Sequence, residues 1–227
     1  MIPSLKSLKS SVDALVFDLD GTILDSMNAW DKVDVDFLGR FGFEVTDEYR
    51  DVVSRCPILE AAEYTAEKFS LPMTPAEIMD AWNDMIRQEY RDNIPLKSGA
   101  GAYLREAHSM GFKIGCATAL SSDMAVSALE NNGVYELFDA LLTLNDLGER
   151  VSKESPEIYV RTAERLGVSD MSRVLVFEDV YTALKSAHLG GFKTCYVYDA
   201  IGAGKATPAE ISAVSDYAVL SWDDSLS

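Results

Sequence analysis

The most informative segment of the sequence is Val16-Phe17-Asp18-Leu19-Asp20-Gly21-Thr22-Ile23-Leu24-Asp25-Ser26. Its start overlaps an apolar run, Ala14 to Phe17, of the kind that forms a strand buried on both faces. Because side chains alternate along a strand, Asp18 and Asp20 should point the same way. Two like charges this close repel each other, so the pair indicates a divalent cation, a shared proton or a cationic substrate. The alternative is an acidic turn at a strand end that carries no chemistry.

Length and composition limit the class of protein. The chain has 227 residues, enough to bury a sizeable core as one large domain or as a core with a modest insert. Its formal net charge of −17 argues against nucleic acid as a partner, because phosphates repel an acidic surface. The sequence has no apolar run of membrane-spanning length, and its first ten residues lack the apolar core of a signal peptide. The three cysteines are widely spaced, with no pair at zinc-site spacing, so we expect a reduced, cytoplasmic protein without a membrane partner.

Two patterns of predicted secondary structure divide the chain. From residue 27 to about residue 93 the pattern is helical, with a capping box at Thr74-Pro75-Ala76-Glu77. Elsewhere helices alternate with short apolar strands, which predicts an α/β fold with a Rossmann-like, doubly wound parallel sheet. The predicted strands are 12–18, 112–118, 140–144, 174–177 and 194–198, with 217–220 as a possible edge strand. We therefore expect an α/β core domain of residues 1–26 and 95–227, with an all-helical domain of residues 27–94 inserted into it.

Polar residues stand where several of these strands end. Asp18 closes the first strand, Thr118 the second, and Glu178 and Asp179 follow the fourth, while Lys153 lies in the loop after the third. Ligands of such sheets bind beyond the carboxyl ends of the strands, so these side chains should meet at one edge. Phosphoryl transfer needs a nucleophile, a proton donor and positive charge, and these residue types supply them. Taken singly, each residue could instead be a strand-end hydroxyl, a solvated lysine or a helix N-cap.

The same segments resemble the motifs of the haloacid dehalogenase-like hydrolases. The first three matching segments are Phe17-Asp18-Leu19-Asp20-Gly21-Thr22, Ile114-Gly115-Cys116-Ala117-Thr118 and Val176-Phe177-Glu178-Asp179. The family's remaining motif is commonly Lys-Pro-x-Pro; Lys153-Glu154-Ser155-Pro156 keeps the lysine and the second proline but has Glu154 for the first. Motif order and spacing agree from residue 12 onward, and the helical insert stands where the superfamily carries a cap. The resemblance is to the helical-cap branch of β-phosphoglucomutases and phosphoglycolate phosphatases.

This resemblance implies a catalytic role for each motif residue. Asp18 would be the nucleophile that forms an aspartyl-phosphate, and Asp20 would protonate the leaving alcohol and then activate water. Thr118 and the adjoining Ala119 would bind the phosphoryl oxygens. Lys153 would place a positive charge against both the phosphoryl group and Asp18.

The resemblance also implies a cofactor and a substrate class. Mg²⁺ would be bound by Asp18, the backbone carbonyl of Asp20, and Asp179 with Glu178 beside it; hard oxygen ligands suit this ion. In the insert, Arg55 would touch the substrate, unless it forms a surface ion pair. The expected partner is a small phosphorylated metabolite, for example a sugar phosphate, bound by a monomer or a weak homodimer.

Three functions remain open at this point. A phosphatase hands the phosphoryl group to water, whereas a mutase returns it to a sugar. The sequence Met27-Asn28-Ala29-Trp30 lacks the linker histidine of the mutases, which favours the phosphatase. A phospho-acceptor signalling module of the receiver type would have about half this length and no inserted cap. A fourth activity, halide release by a dehalogenase, is disfavoured, because those relatives lack the second aspartate, which is present here as Asp20.

Overall fold

A computed structural model describes residues 2–53, 56–148, 151–201 and 206–223. The chain divides into two compact units, one of Met1–Met27 with Ile94–Ser227 and the other of Asn28–Asn93. We call them the α/β unit and the helical unit. Among the described residues, no helix combines the length and the apolarity that crossing a membrane requires.

The α/β unit is built on one six-stranded parallel sheet. Its strands are β1 (Ala14–Phe17), β2 (Lys113–Thr118), β3 (Ala140–Thr143), β4 (Val174–Glu178), β5 (Lys193–Val197) and β6 (Tyr217–Val219). Their order is β3-β2-β1-β4-β5-β6, which confirms the predicted doubly wound fold. The chain adds strands on one side of β1 and then returns to the other side, so the strand order reverses between β1 and β4. A ligand site is expected beside that reversal.

Helices cover both faces of this sheet. They are α1 (Leu5–Leu8), α6 (Ala100–Ser109), α7 (Ser122–Asn131), α8 (Glu157–Arg165), α9 (Tyr181–Leu189) and α10 (Pro208–Val214). Val16 of β1 faces the side where Ile158 and Ala163 of α8 pack. On the opposite face, Phe17 stacks on Phe177 with ring centroids 4.4 Å apart. Because both faces are covered, all residues of β1 and β4 are buried, as apolar strands of this kind require.

The observed strand ends differ from the predicted ones at the positions that carry chemistry. Asp18 lies just beyond β1, whereas Glu178 is the last residue of β4. Asp18 donates its backbone N–H to the carbonyl oxygen of Phe177 at 3.1 Å, so the hydrogen bonding between β1 and β4 continues one residue beyond β1. This bond ties the loop after β1 to the end of β4.

The helical unit contains α2 (Ala29–Gly39), α3 (Asp47–Val53), α4 (Ile58–Lys68) and α5 (Pro75–Asp92). The predicted capping box opens α5: Thr74 N–H donates to Glu77 Oε2 at 2.8 Å, and Glu77 N–H donates to Thr74 Oγ1 at 3.3 Å. Phe37 of α2 packs edge-on against Trp82 of α5, with centroids 5.8 Å apart. Apolar faces of these helices therefore form a core that belongs to this unit.

Candidate active site

The turn after β1 is shaped by one carbonyl oxygen and one glycine. The carbonyl oxygen of Leu19 accepts from three successive N–H groups, those of Thr22, Ile23 and Leu24, at 3.2, 3.0 and 2.9 Å. Gly21 has a φ of +69°, a conformation that favours glycine because it has no Cβ. The turn therefore reverses the chain immediately after Asp18 and Asp20, at the edge where the strand order changes.

Three acidic side chains meet beside this turn. Asp18, Glu178 and Asp179 each offer a carboxylate oxygen, and these oxygens lie within 4.8 Å of one another. All three residues are buried, with exposed fractions of 5%, 0% and 3%. The first comes from the end of β1 and the other two from the end of β4, so the pairing of these strands brings them together.

Lys153 supplies the positive charge within this cluster. Its Nζ donates to Asp18 Oδ1, and it donates to Glu178 Oε1 at 2.5 Å. The backbone at this position is held too, because Ser186 Oγ of α9 donates to the carbonyl oxygen of Lys153 at 2.6 Å. A buried ammonium needs such partners, since an unpaired charge in the interior is costly. The lysine predicted from the Lys-Pro-x-Pro motif is thus in contact with the predicted nucleophile.

Two hydroxyl groups that the sequence interpretation did not single out complete the cluster. Thr22 Oγ1 lies 3.4 Å from Asp18 Oδ2 and 3.2 Å from Asp179 Oδ1, so it bridges the two carboxylates. Tyr159 of α8 donates its hydroxyl to Glu178 Oε1 at 2.8 Å. Thr22 lies inside the first motif and could have been found there. A buried tyrosine on a helix has no comparable local signal.

Burial and crowding shift the pKa values of these groups. Burial, followed by the charge of Glu178, raises the pKa of Asp18 well above its usual range, against the opposing effect of Lys153. The same two causes raise the pKa of Asp179 to about 7. Burial works against the charged form of Lys153, but the carboxylates of Asp18 and Glu178 outweigh it and raise the pKa of its ammonium. Three carboxylates against one ammonium leave an excess of negative charge.

This donor set fits a hard divalent cation. Carboxylate oxygens from Asp18, Glu178 and Asp179 are the ligand type that such cations prefer, and they already lie close together. Burial and, after it, the neighbouring negative charge raise the pKa values of Asp18 and Asp179, and a divalent cation would offset that charge. The three carboxylates are therefore a candidate metal site, and the candidate nucleophile Asp18 is one of its donors.

The remaining predicted residues have different surroundings. Asp20 lies outside the three-carboxylate cluster, and its Oδ1 accepts from Ser26 Oγ at 2.6 Å. Thr118 is buried, and its hydroxyl oxygen accepts from Leu120 N–H at 3.1 Å. Ala119 is exposed just beyond β2. Arg55 lies outside the described residues, so its predicted contact with substrate stays a prediction.

Comparison with known proteins identifies the family. Residues 12–191 match a family model described as "haloacid dehalogenase-like hydrolase". The chain belongs to this family. The match covers most of the α/β unit and the whole helical unit, and it confirms the resemblance that the four motifs indicated. It also confirms that the protein is an enzyme, a hydrolase.

Relatives by sequence carry phosphatase names. The chain is 26% identical over 187 residues to the "Putative phosphatase YhcW" of Bacillus subtilis, covering 82% of this chain and 83% of that protein. It is 25% identical over 184 residues to the fructose-1-phosphate phosphatase YqaB of Escherichia coli, covering 78% and 92%. A solved structure described as a "putative beta-phosphoglucomutase" from Thermotoga maritima matches with a TM-score of 0.82 and 19% identity, covering 95% of this chain and 97% of that one. At that identity the last likeness establishes the fold.

Proposed function

We propose that the protein is a Mg²⁺-dependent phosphomonoester hydrolase that works through an aspartyl-phosphate on Asp18. One observation carries this proposal: the carboxylate of Asp18 is buried with Glu178 and Asp179 and bound by Lys153 at the strand-order reversal of the sheet. Perturbed titratable groups around a cation-binding donor set are a frequent mark of catalytic sites. The phosphatase names of the relatives support the same reaction class.

The first half of the reaction uses Asp18 as nucleophile. Lys153 donates to its Oδ1 and Thr22 to its Oδ2, so the carboxylate is oriented before substrate arrives. One of its oxygens attacks phosphorus, the bond from phosphorus to the leaving oxygen breaks, and the phosphoryl group becomes attached to Asp18. Lys153 is placed to balance charge on the phosphoryl oxygens, and Thr118 and Ala119 are proposed to bind those oxygens.

Proton transfer is assigned to Asp20. The hydroxyl of Ser26 donates to one of its carboxyl oxygens at 2.6 Å, which orients the carboxyl group. In the first half-reaction, Asp20 gives its proton to the leaving alkoxide oxygen. In the second, it takes a proton from the water molecule that attacks the phosphorus, which releases inorganic phosphate and restores Asp18.

The proposed metal ligands are Asp18, Asp179, Glu178 and the backbone carbonyl of Asp20. Bound Mg²⁺ supplies neutralisation of charge on the phosphoryl oxygens and the carboxylates, worth several kcal/mol in such reactions. Glu178 Oε1 accepts from Lys153 and Tyr159, and its Oε2 accepts from Val180 N–H at 3.3 Å, so both oxygens are oriented by the protein. The protein's part is to hold these carboxylates together against their mutual repulsion.

The proposed substrate is a small phosphorylated metabolite, with sugar phosphates as the leading class. A fructose-1-phosphate phosphatase and a hexitol phosphatase are among the relatives, which supports this class. The helical unit is proposed to select the substrate as a cap, with Arg55 as one contact. We also propose that the enzyme is cytoplasmic and acts as a monomer or a weak homodimer.

The test is a screen of a few dozen phosphomonoesters with Mg²⁺, using the wild type and Asp18→Asn. Asp13→Asn is a matched control, because Asp13 precedes β1 at its other end and forms an exposed ion pair with Arg173. We expect phosphate release by the wild type and the control and none by Asp18→Asn. Equal release by all three proteins would refute the assigned nucleophile.

Two further measurements address the metal and the acceptor. EDTA should abolish turnover and added Mg²⁺ should restore it; undiminished activity in chelator would remove the metal from the mechanism. Phosphate release should exceed isomerisation when sugar phosphates are supplied. The opposite ratio would identify a mutase, which hands the phosphoryl group back to the sugar.

A further inference from the structure

Two side chains from distant parts of the α/β unit bind the carbonyl oxygens of the turn after β1. Lys97 Nζ donates to the carbonyl oxygen of Gly21. Trp222 Nε1 donates to the carbonyl oxygen of Thr22 at 3.0 Å. Neither residue belongs to a motif that the sequence indicated, yet both act on the two residues that directly follow Asp20.

Lys97 is itself held at both ends. Its Nζ lies 2.9 Å from Asp199 Oδ2, and the two side chains are 15% and 10% exposed. Its backbone N–H donates to the carbonyl oxygen of Ile23 at 2.8 Å, and Asp25 N–H donates to the carbonyl oxygen of Pro95 at 2.9 Å. The segment that carries Lys97 is therefore paired with the segment that leaves the turn. The ammonium has little freedom to adopt another position.

The opposite side of the turn faces the acidic cluster. A Cβ built on Gly21 would lie 2.3 Å from Asp179 Oδ2, so the backbone there approaches that carboxylate closely. The peptide group of Gly21 is thus enclosed by Lys97 on its carbonyl side and by Asp179 on its Cα side. A hydrogen bond from an ammonium is roughly twice as strong as one between neutral groups. Lys97 is accordingly the stronger of the two anchors on the carbonyl oxygens.

We propose that Lys97 is a positioning residue for phosphoryl transfer, which acts by holding the turn that carries Asp20. This inference rests on the proposed function, because it takes Asp20 as the proton donor. If the turn is released, the carboxyl group of Asp20 loses its fixed place relative to the leaving oxygen. A misplacement of about 1 Å in a catalytic site can lower the rate about 100-fold. A merely structural ion pair between Lys97 and Asp199 would not affect proton transfer selectively.

Lys97→Met is the decisive variant. A cavity of about 170 Å³ adjoins Lys97, and we expect water to take the place of the ammonium in this variant. Lys113→Met is the matched control, because Lys113 pairs with Asp139 at 3.1 Å and is exposed at the start of β2, at the opposite ends of the strands from the candidate site. Lys97→Arg keeps a cationic donor and should recover most of the lost activity.

The readout compares two leaving groups. The alkoxide released from an alkyl phosphate needs a proton as the bond to phosphorus breaks, whereas p-nitrophenyl phosphate releases p-nitrophenolate, which is stable as an anion. We expect Lys97→Met to lower kcat/KM, which reports the steps up to loss of the leaving group, about 10- to 100-fold for the alkyl phosphate and less than about 3-fold for p-nitrophenyl phosphate. Because attack of water on the phosphorylated Asp18 also uses Asp20 and is common to both substrates, kcat does not make this distinction. Asp20→Asn should show the same split more strongly, and Lys113→Met should show none.

The outcomes separate this inference from the function on which it rests. If Asp20→Asn shows no leaving-group dependence, the proposed proton donor is wrong. If Asp20→Asn shows it and Lys97→Met does not, Lys97 is not a positioning residue. A second variant, Lys97→Gln, keeps the inference testable if Lys97→Met misfolds. In metal-free protein the amide resonance of Thr22, which shares a peptide group with the Gly21 carbonyl, should shift in Lys97→Gln and not in Lys113→Met. An unchanged Thr22 resonance would overturn the inference.

Discussion

Gly21 lies against Asp179 in the candidate active site, and we expect Gly21→Ala to disrupt that site. The added Cβ would lie 2.3 Å from Asp179 Oδ2 and 2.9 Å from Asp179 Cγ. Ordinary contacts between such atoms are roughly 3.5 Å, so the overlap is about 1 Å. Either the Asp179 carboxyl group or the turn itself must move by a similar distance.

Two costs of this substitution can be separated by a second glycine. A left-handed φ costs a residue with a Cβ about 1–2 kcal/mol, whatever surrounds it. Gly133 has a φ of +62°, close to the +69° of Gly21, and no atom of the described residues would lie within 4 Å of its Cβ. Gly133→Ala therefore measures the backbone cost alone. The remainder for Gly21→Ala reports the displacement of Asp179.

The assay uses urea denaturation, steady-state kinetics and calorimetric titration with Mg²⁺. Gly133→Ala should lose about 1–2 kcal/mol of unfolding free energy, and Gly21→Ala should lose more, because the overlap with Asp179 adds to the same backbone cost. Only Gly21→Ala should lose turnover, about 100-fold for a shift near 1 Å, and Mg²⁺ affinity, about 10-fold or more. If Gly21→Ala turns over substrate and binds Mg²⁺ like Gly133→Ala, the close approach of this turn to Asp179 does not matter for catalysis or metal binding, and the reasoning is refuted.

Three other substitutions test contacts elsewhere in the protein. Tyr159→Phe removes a hydrogen bond to the fully buried Glu178 and should lower the unfolding free energy by about 1–3 kcal/mol in urea. Turnover should also be slower, because Glu178 accepts from Lys153 and would hold that lysine less firmly. In the helical unit, burial raises the pKa of Asp34 from 3.8 to about 6, so its contribution to stability is complete below pH 4 and is lost as pH rises through 6. Asp34→Asn should therefore gain stability relative to the wild type across that interval, by up to about 3 kcal/mol in urea unfolding. Gly115→Ala would place a Cβ 2.6 Å from Thr162 Cγ2, between β2 and α8, and should lower the melting temperature by several degrees.

Each of these three expectations has a contrary result. A Tyr159→Phe enzyme with unchanged stability would mean that the hydroxyl contributes nothing net to the buried carboxylate. A stability difference between Asp34→Asn and the wild type that is the same at pH 4 and pH 7 would contradict the raised pKa. An unchanged melting temperature for Gly115→Ala would show that the helix over β2 adjusts without cost.

The family and the residues of the candidate site could be predicted from the sequence because the informative signals are local. A buried parallel strand is a continuous apolar run, and its end is marked by the first polar side chain, as at Asp18 and Glu178. Short motifs then placed Lys153 and Asp179 in the same site, although Lys153 lies 135 residues from Asp18. Capping boxes depend on residues three apart in the sequence, so they could be predicted in the same way.

The partners of these residues depended on the tertiary structure. Alternating strands and helices permit several strand orders, and only the folded sheet places β1 between β2 and β4. Tyr159 contacts Glu178, and Lys97 contacts Gly21. No motif or periodicity in the sequence relates the two residues of either pair. Such contacts follow from side-chain packing, in which the direction of each side chain depends on all its neighbours. The sequence therefore determined which groups could carry out the chemistry, and the packed structure determined what holds them in place.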